Sequence, residues 1–188
     1  NGFDLNWKKA KYSINKGLWG TSVGGDETLT SHLALQESAY PSQLESETPE
    51  TVTLTFSKGE LTALNGVENA SEINIKLLDV IASKFAIGRD IHVGDTIVGI
   101  KGRVGFEAAA ALIIVKAHHL LEKHTLTKWQ LQHKDYLSNF YGMHLHEGQY
   151  LDPVMRDMEA FLSNSQHSVS GSVEVELKPY HFSINGIQ

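Results

Sequence analysis

Residues 52–66 read Val-Thr-Leu-Thr-Phe-Ser-Lys-Gly-Glu-Leu-Thr-Ala-Leu-Asn-Gly. The alternation puts Val52, Leu54 and Phe56 on one face of a strand. Ser57-Lys58-Gly59-Glu60 then turns the chain into a second short strand, Leu61 to Leu64, which Asn65-Gly66 stops. A hairpin with one apolar face needs a cover. The next segment supplies it: Ile73, Leu77, Leu78, Ile81, Ala82 and Phe85 recur at helical spacing. Asn69-Ala70-Ser71-Glu72 reads as the capping box of that helix, and Gly88 as its left-handed end.

Towards the C-terminus, residues 91–100 are strand-like. Residues 107–123 are apolar nearly all round and predict a buried helix, although Leu112-Ile113-Ile114-Val115 alone has the composition of a strand. Thr127 with Gln130 makes a second capping box, opening a helix whose Trp129, Tyr136, Leu137, Phe140 and Tyr141 form an aromatic stripe up to Gly142. Asp152-Pro153 starts a further helix, with Val154, Met155, Met158, Phe161 and Leu162 as its buried face. Val173, Val175 and Leu177 alternate with Ser172, Glu174 and Glu176, and Pro179-Tyr180 turns that strand towards Phe182 and Ile184. Hairpin, helix, strands, three helices and hairpin predict an α+β fold, a largely antiparallel sheet with packed helices.

Towards the N-terminus, residues 1–25 carry Trp7 and Tyr12 and then Trp19, spaced by Ser and Gly, and read as an extended or looping arm. Residues 26–50 are rich in Ser, Thr and Glu, with Pro41 and Pro49 as breakers, and read as a long surface connection. Residues 51–188 form the α+β body, giving one domain overall.

The composition narrows the function. The 188 residues include no cysteine, 16 Lys and Arg against 22 Asp and Glu (net −6), 41% apolar and 20% charged residues. That is an ordinary globular composition without a disulfide framework or a cysteine-ligated zinc site. The acidic balance offers no basic surface for phosphates, so nucleic acid is not an expected partner. No window approaches the roughly 18 apolar residues of a membrane span. Asn1-Gly2-Phe3-Asp4 lacks the basic start and apolar stretch of a signal peptide, and a chain opening on Asn reads as a fragment or a processed product.

Ten histidines raise a metal site. His144 and His146 share one face only in an extended segment, since a helix splays them about 200° apart. The capping signals place them in a loop, where a surface or packing role is expected. Adjacent His118 and His119 cannot both face one ion from a helix, and no metal ligand is assigned. Ser22-Val23-Gly24-Gly25-Asp26 has the look of a glycine-rich phosphate loop but lacks the preceding buried strand and following helix that such a loop needs. Lys101-Gly102-Arg103 fits either an anion or a neighbouring carboxylate, or a charged edge strand. The aromatic stripe is read as core or subunit interface. No nucleophile, base or paired carboxylate follows from spacing, so no catalytic residue is assigned.

Several segments together resemble the C-terminal part of the argininosuccinate synthases. They are residues 12–20 (Tyr-Ser-Ile-Asn-Lys-Gly-Leu-Trp-Gly), Gly88-Arg89-Asp90, residues 98–103 (Val-Gly-Ile-Lys-Gly-Arg), Lys116-Ala117-His118, residues 150–153 (Tyr-Leu-Asp-Pro) and residues 165–171 (Ser-Gln-His-Ser-Val-Ser-Gly). The resemblance covers essentially the whole chain. It implies a cytoplasmic, homotetrameric ligase of arginine biosynthesis that joins citrulline to aspartate while ATP, with Mg2+, is cleaved to AMP and pyrophosphate. It implies an α+β catalytic and multimerisation domain whose arm enters from an N-terminal ATP-binding domain absent from this sequence. No cofactor-binding residue is then expected here, and the chain alone is expected to be inactive. The competing expectation is a non-catalytic assembly or binding module that kept the fold and lost the pocket. A parent reading frame with a Ser-Gly-Gly-x-Asp-Ser loop upstream would favour the enzyme.

The resemblance carries two citrulline-binding serines onto this chain, Ser13 and Ser22. Two other contacts depart from it: Gly94 stands where the family has a glutamate, and Phe106 where it has a tyrosine. One explanation is drift, with Asp95 or Glu107 taking over the charge. The other is chemical. An ammonium buried without an anion is costly, whereas an acylated nitrogen needs no anion and more room. An Nα-acylated citrulline therefore enters as a substrate expectation.

Overall fold

The computed structural model describes residues 11–188; Trp7 lies outside them. Among the described residues, nine strands and four α-helices form two antiparallel sheets with helices against them, so the α+β class holds. The strands divide between two sheets where the sequence suggested one.

The five-stranded sheet has the order β5-β4-β3-β8-β9. Its strands are β3 (Glu50–Ser57), β4 (Glu60–Leu64), β5 (Val67–Glu68), β8 (Gly171–Lys178) and β9 (His181–Ile187). Lys58 and Gly59, both left-handed at φ 50° and 84°, make the tight β3–β4 turn. Asn65-Gly66 is a second such turn and leads into β5. Val52, Leu54 and Phe56 face the same side as Val173, Val175 and Leu177 and are all buried.

Helices α1 (Ser71–Ala82) and α2 (Ala109–Thr125) cover that face through Ile75, Leu78, Ile113, Ala117 and Leu121. Residues 112–115 are therefore helical, and Glu107 belongs to the preceding strand. The Asn69 capping box does not form: the Asn69 carboxamide donates to the Asn74 side chain, 3.1 Å away, and the α1 N-cap Ala70 has no side-chain cap. Nor does Gly88 end the helix, because Ala86 takes the left-handed position at φ 53°.

Helices α3 (Lys128–His146) and α4 (Pro153–Ser165) follow. Their start signals work as read: Thr127 and Gln130 cap reciprocally, and Asp152 accepts from the Val154 amide with Pro153 in the first turn. Helix α3 runs through His146, so His144 and His146 are helical and not in a loop. No residue of α3 is buried, which removes the core reading of its aromatic stripe. On α4 only Met155 and Met158 of the expected apolar face are buried.

The four-stranded sheet, order β1-β2-β7-β6, comprises β1 (Tyr12–Gly17), β2 (Gly20–Gly25), β6 (Arg89–Asp95) and β7 (Lys101–Glu107). Much of the expected arm is thus a hairpin built into a sheet, and residues 91–100 hold a strand end and a turn. Gly20 closes the hairpin at φ 141°, where a Cβ would lie 2.8 Å from both the Ala108 Cβ and the Glu107 carbonyl. Residues 26–45 cross one face of this sheet with two short 3-10 turns, Asp26–Leu29 and Glu37–Ala39. Leu35 and Ala39 pack there on Val23.

Polar ties hold this irregular cover down. Arg103 donates to the carbonyls of Glu27, Thr30 and Leu33 at 2.7–2.8 Å. Arg89 donates to Glu107 (2.9 Å), to Glu37 and to the Ser42 carbonyl, with its guanidinium 4.7 Å from the Tyr40 ring centroid.

Candidate functional site

The other face of the four-stranded sheet is open. Its register puts Asn15 opposite Ser22, Ser22 opposite Phe106 and Phe106 opposite Asp90. Directly opposed residues share a face, so these four side chains form one row across the sheet. At about 4.8 Å per strand the row is about 14 Å long. Ser13 lies two residues from Asn15 and so faces the same way, in the next row. His92 and Gly94 lie farther along β6 on this face. Ser13, Asn15, Asp90 and His92 are exposed, and Ser22 and Phe106 are half-buried.

The two sequence-assigned serines are therefore brought to one accessible surface. With them stand an amide, a carboxylate and an imidazole. Asp90 spends Oδ1 on the Ile91 amide at 2.7 Å, and no described residue hydrogen-bonds its other oxygen. At Gly94 a Cβ would lie 2.6 Å from His92 Nε2, so the imidazole occupies the space that a larger side chain would need. The expected takeover by Asp95 or Glu107 fails on register, since both point to the covered face. There Asp95 pairs with Lys101 at 2.7 Å, and Glu107 with Arg89 at 2.9 Å.

The remaining candidates are used structurally. Arg103 spends its guanidinium on backbone carbonyls and Lys101 pairs with Asp95, so both cations already have partners; β7 pairs with β2 only over residues 105–107, which leaves residues 101–103 paired on the β6 side alone, as the charged-edge reading expects. Residues 22–25 lie in β2, an extended strand paired with β1 throughout and with β7 at Ser22 and Val23, so their backbone does not form a phosphate cradle. Among the described residues, no group of three or more His, Asp or Glu is placed to hold a metal ion, and no helix is long and apolar enough to cross a membrane.

A second polar cluster lies on α2. Glu122 is fully buried; Gln166 donates to its Oε1 at 2.9 Å, and the Lys134 ammonium lies 2.9 Å from Oε2. His118 Nδ1 is 3.6 Å from Glu122 Oε1. Burial holds the His118 imidazole below its ordinary value, with Glu122 opposing and Lys134 assisting. This cluster borders a cavity of about 820 Å³.

Sequence reading missed Asn15, Asp90 and His92. Each became visible only through strand register, for which a single sequence carries no signal beyond alternation. Ser13 and Ser22 came from family resemblance alone.

Comparison with known proteins agrees with that resemblance. Residues 12–188 match the family described as "Arginosuccinate synthase C-terminal domain". The chain is 37% identical over 180 residues to the argininosuccinate synthase of Dictyoglomus turgidum, covering 95% of this chain and 45% of that protein. It is 32% identical over 179 residues to that of Methanocaldococcus jannaschii (94% and 45%) and 33% identical over 185 residues to that of Xanthomonas campestris (94% and 45%). The chain thus spans about half the length of the curated relatives it matches.

Proposed function

The chain belongs to the argininosuccinate synthase C-terminal domain family, and from that membership we propose that it forms the citrulline-facing wall of an argininosuccinate synthase. The carrying observation is that Ser13 and Ser22 stand on one open face. Hydroxyls there can donate to a carboxylate or accept from an ammonium without adding charge, and Asp90 supplies an anion beside them. The complete enzyme then joins citrulline to aspartate in the cytoplasm, with ATP and Mg2+ held outside this chain. The residues of the open face bind and orient the amino acid and take no part in holding the nucleotide. The exposed α3 stripe of Trp129, Tyr136 and Phe140 supports a homo-oligomer, in keeping with a tetramer.

In the complete enzyme, Ser22→Ala raises KM for citrulline about tenfold, the worth of one hydrogen bond to a charged group. An unchanged KM refutes the role. The 188-residue chain given citrulline, aspartate and ATP forms no AMP; AMP formation would overturn its dependence on a second domain.

A second reading concerns the substrate's amine. Gly94 brings no carboxylate, and the polar group over it is the His92 imidazole, which can donate to an acyl oxygen. This favours an Nα-acylated citrulline. Turnover of citrulline compared with its Nα-acetyl and Nα-succinyl derivatives decides it, and a clear preference for plain citrulline sinks the idea.

A further inference from the structure

The two edges of the five-stranded sheet differ in their protection. β5, at one edge, has two residues. β9, at the other, runs His-Phe-Ser-Ile-Asn-Gly-Ile and carries neither the lysine nor the proline that commonly guards an open edge. The β8–β9 turn closes on Lys178 and His181, which makes them a hydrogen-bonded pair and Glu176 with Ser183 the next one. Phe182 and Ile184 therefore turn their backbone N–H and C=O outward, where no described strand lies, while their side chains pack on the core.

Helix α2 runs beside that edge and forms with it a groove of about 380 Å³. Lys116, His119, Leu120 and Lys123 line its helix side, at the i, i+3, i+4, i+7 spacing of one helix face. Phe182 and Ile184 line the other. Every lining group able to carry charge is basic, His181 included, and no carboxylate stands in the wall. Lys116 and Lys123 are exposed and pair with no carboxylate among the described residues. In a chain of net charge −6, this groove is locally cationic.

We propose that the β9 edge takes an extended acidic peptide segment of a partner protein as an added strand. The peptide's main chain bonds the free N–H and C=O groups of Phe182 and Ile184, and alternate Asp or Glu side chains reach Lys116 and Lys123. The spacing fits. Seven residues of helix separate the two lysines by about 10.5 Å. Alternate residues of a strand are about 6.7 Å apart, and the flexible lysine stems cover the difference. A basic segment meets the same ammoniums and is rejected. The site shares no residue with the open face and does not depend on the citrulline reading.

The test titrates the full chain into short fluorescein-labelled peptides and follows anisotropy. Alternating Glu and Thr is the ligand; Gln for Glu removes its charge and Lys for Glu reverses it. N-methylation, applied to each set of alternate amides in turn, removes the edge bonds and keeps the charge. The Glu peptide is expected to saturate at least tenfold more tightly than the Gln peptide, while the Lys peptide does not bind. One N-methylated set should lose at least tenfold. The double variant Lys116→Gln, Lys123→Gln changes only exposed side chains and should bring the Glu peptide to the affinity of the Gln peptide. Bound peptide should also slow hydrogen exchange at the Phe182 and Ile184 amides. No saturation, or an unchanged affinity in the double variant, overturns the proposal. Undiminished binding of both N-methylated sets overturns it as well, because the groove is then an anion site without strand pairing. A dimer of the free chain that the peptide splits assigns the edge to a second copy and overturns it too.

Discussion

The two sheets of this molecule are held by different physics. In the five-stranded sheet, Val52, Leu54, Phe56, Val173, Val175 and Leu177 are each at most 2% exposed beneath α1 and α2. In the four-stranded sheet Val23 alone is fully buried, and its cover is an irregular segment contributing Leu35 and Ala39. A helix arrives with its own hydrogen bonds made, so apolar burial suffices to dock it. An irregular segment brings unsatisfied carbonyls that must be answered one by one. Arg103 and Arg89 do that, with the fixed donor fork that lysine lacks. The difference assigns the roles: one sheet is a frame, and the other is pinned on one face so that its opposite face can stay polar and reachable.

The sharpest way to break this contrast is Phe85→Ala. Phe85 is fully buried where α1 ends, and its carbonyl accepts from the Tyr180 amide at 2.7 Å. Truncation is expected to cost about 3–5 kcal/mol in denaturant unfolding, with protection lost in both sheets together. A loss below about 1 kcal/mol would show that the frame does not rest on this core.

Arg89→Met comes next. Met keeps much of the volume but leaves Glu107, whose side chain is 9% exposed, without its cation. Removing one partner of a buried pair costs about 3–5 kcal/mol; with Glu37 half exposed, about 2–3 kcal/mol is expected. The loss should be local. Hydrogen exchange should quicken in β1, β2, β6 and β7 before β3 and β8. Uniform quickening would erase the distinction between the sheets.

Legibility in the sequence follows the same division. The five-stranded half was readable because its signals are local: alternation in residues 52–56 and 173–177, the Lys58-Gly59 turn, the caps at Thr127 and Asp152. The Asn69 cap misled because Asn74, distant by five residues and buried, claims its carboxamide. In the other half the determinants are long-range. Arg103 meets carbonyls more than sixty residues earlier in the chain, and a carbonyl acceptor leaves no mark on residue type. The open face was half legible: resemblance supplied Ser13 and Ser22, but Asn15, Asp90 and His92 needed the register.

The smallest effect probes a polar knot inside the apolar half. His118 packs edge-on against Phe56, ring centroids 5.4 Å apart, with Glu122 and His119 on its own helix, Lys134 from α3 and Gln166 after α4. Burial, reinforced by Lys134 and opposed by Glu122, lowers its proton affinity in the folded chain. Unfolded, the imidazole titrates near 6.5. Below that pH the unfolded chain takes up a proton that the folded one refuses, so stability is lost as the pH falls from 6.5 towards the lower folded value. Above 6.5 both states are neutral here and this loss is absent. Thermal midpoints measured from pH 7.5 down to pH 5 should therefore fall, and His118→Gln should flatten that fall. Because Glu122 works against burial, the change should be smaller than either substitution above. An unaltered slope in His118→Gln would place the acid sensitivity elsewhere and leave the frame as indifferent to protons as its apolar core suggests.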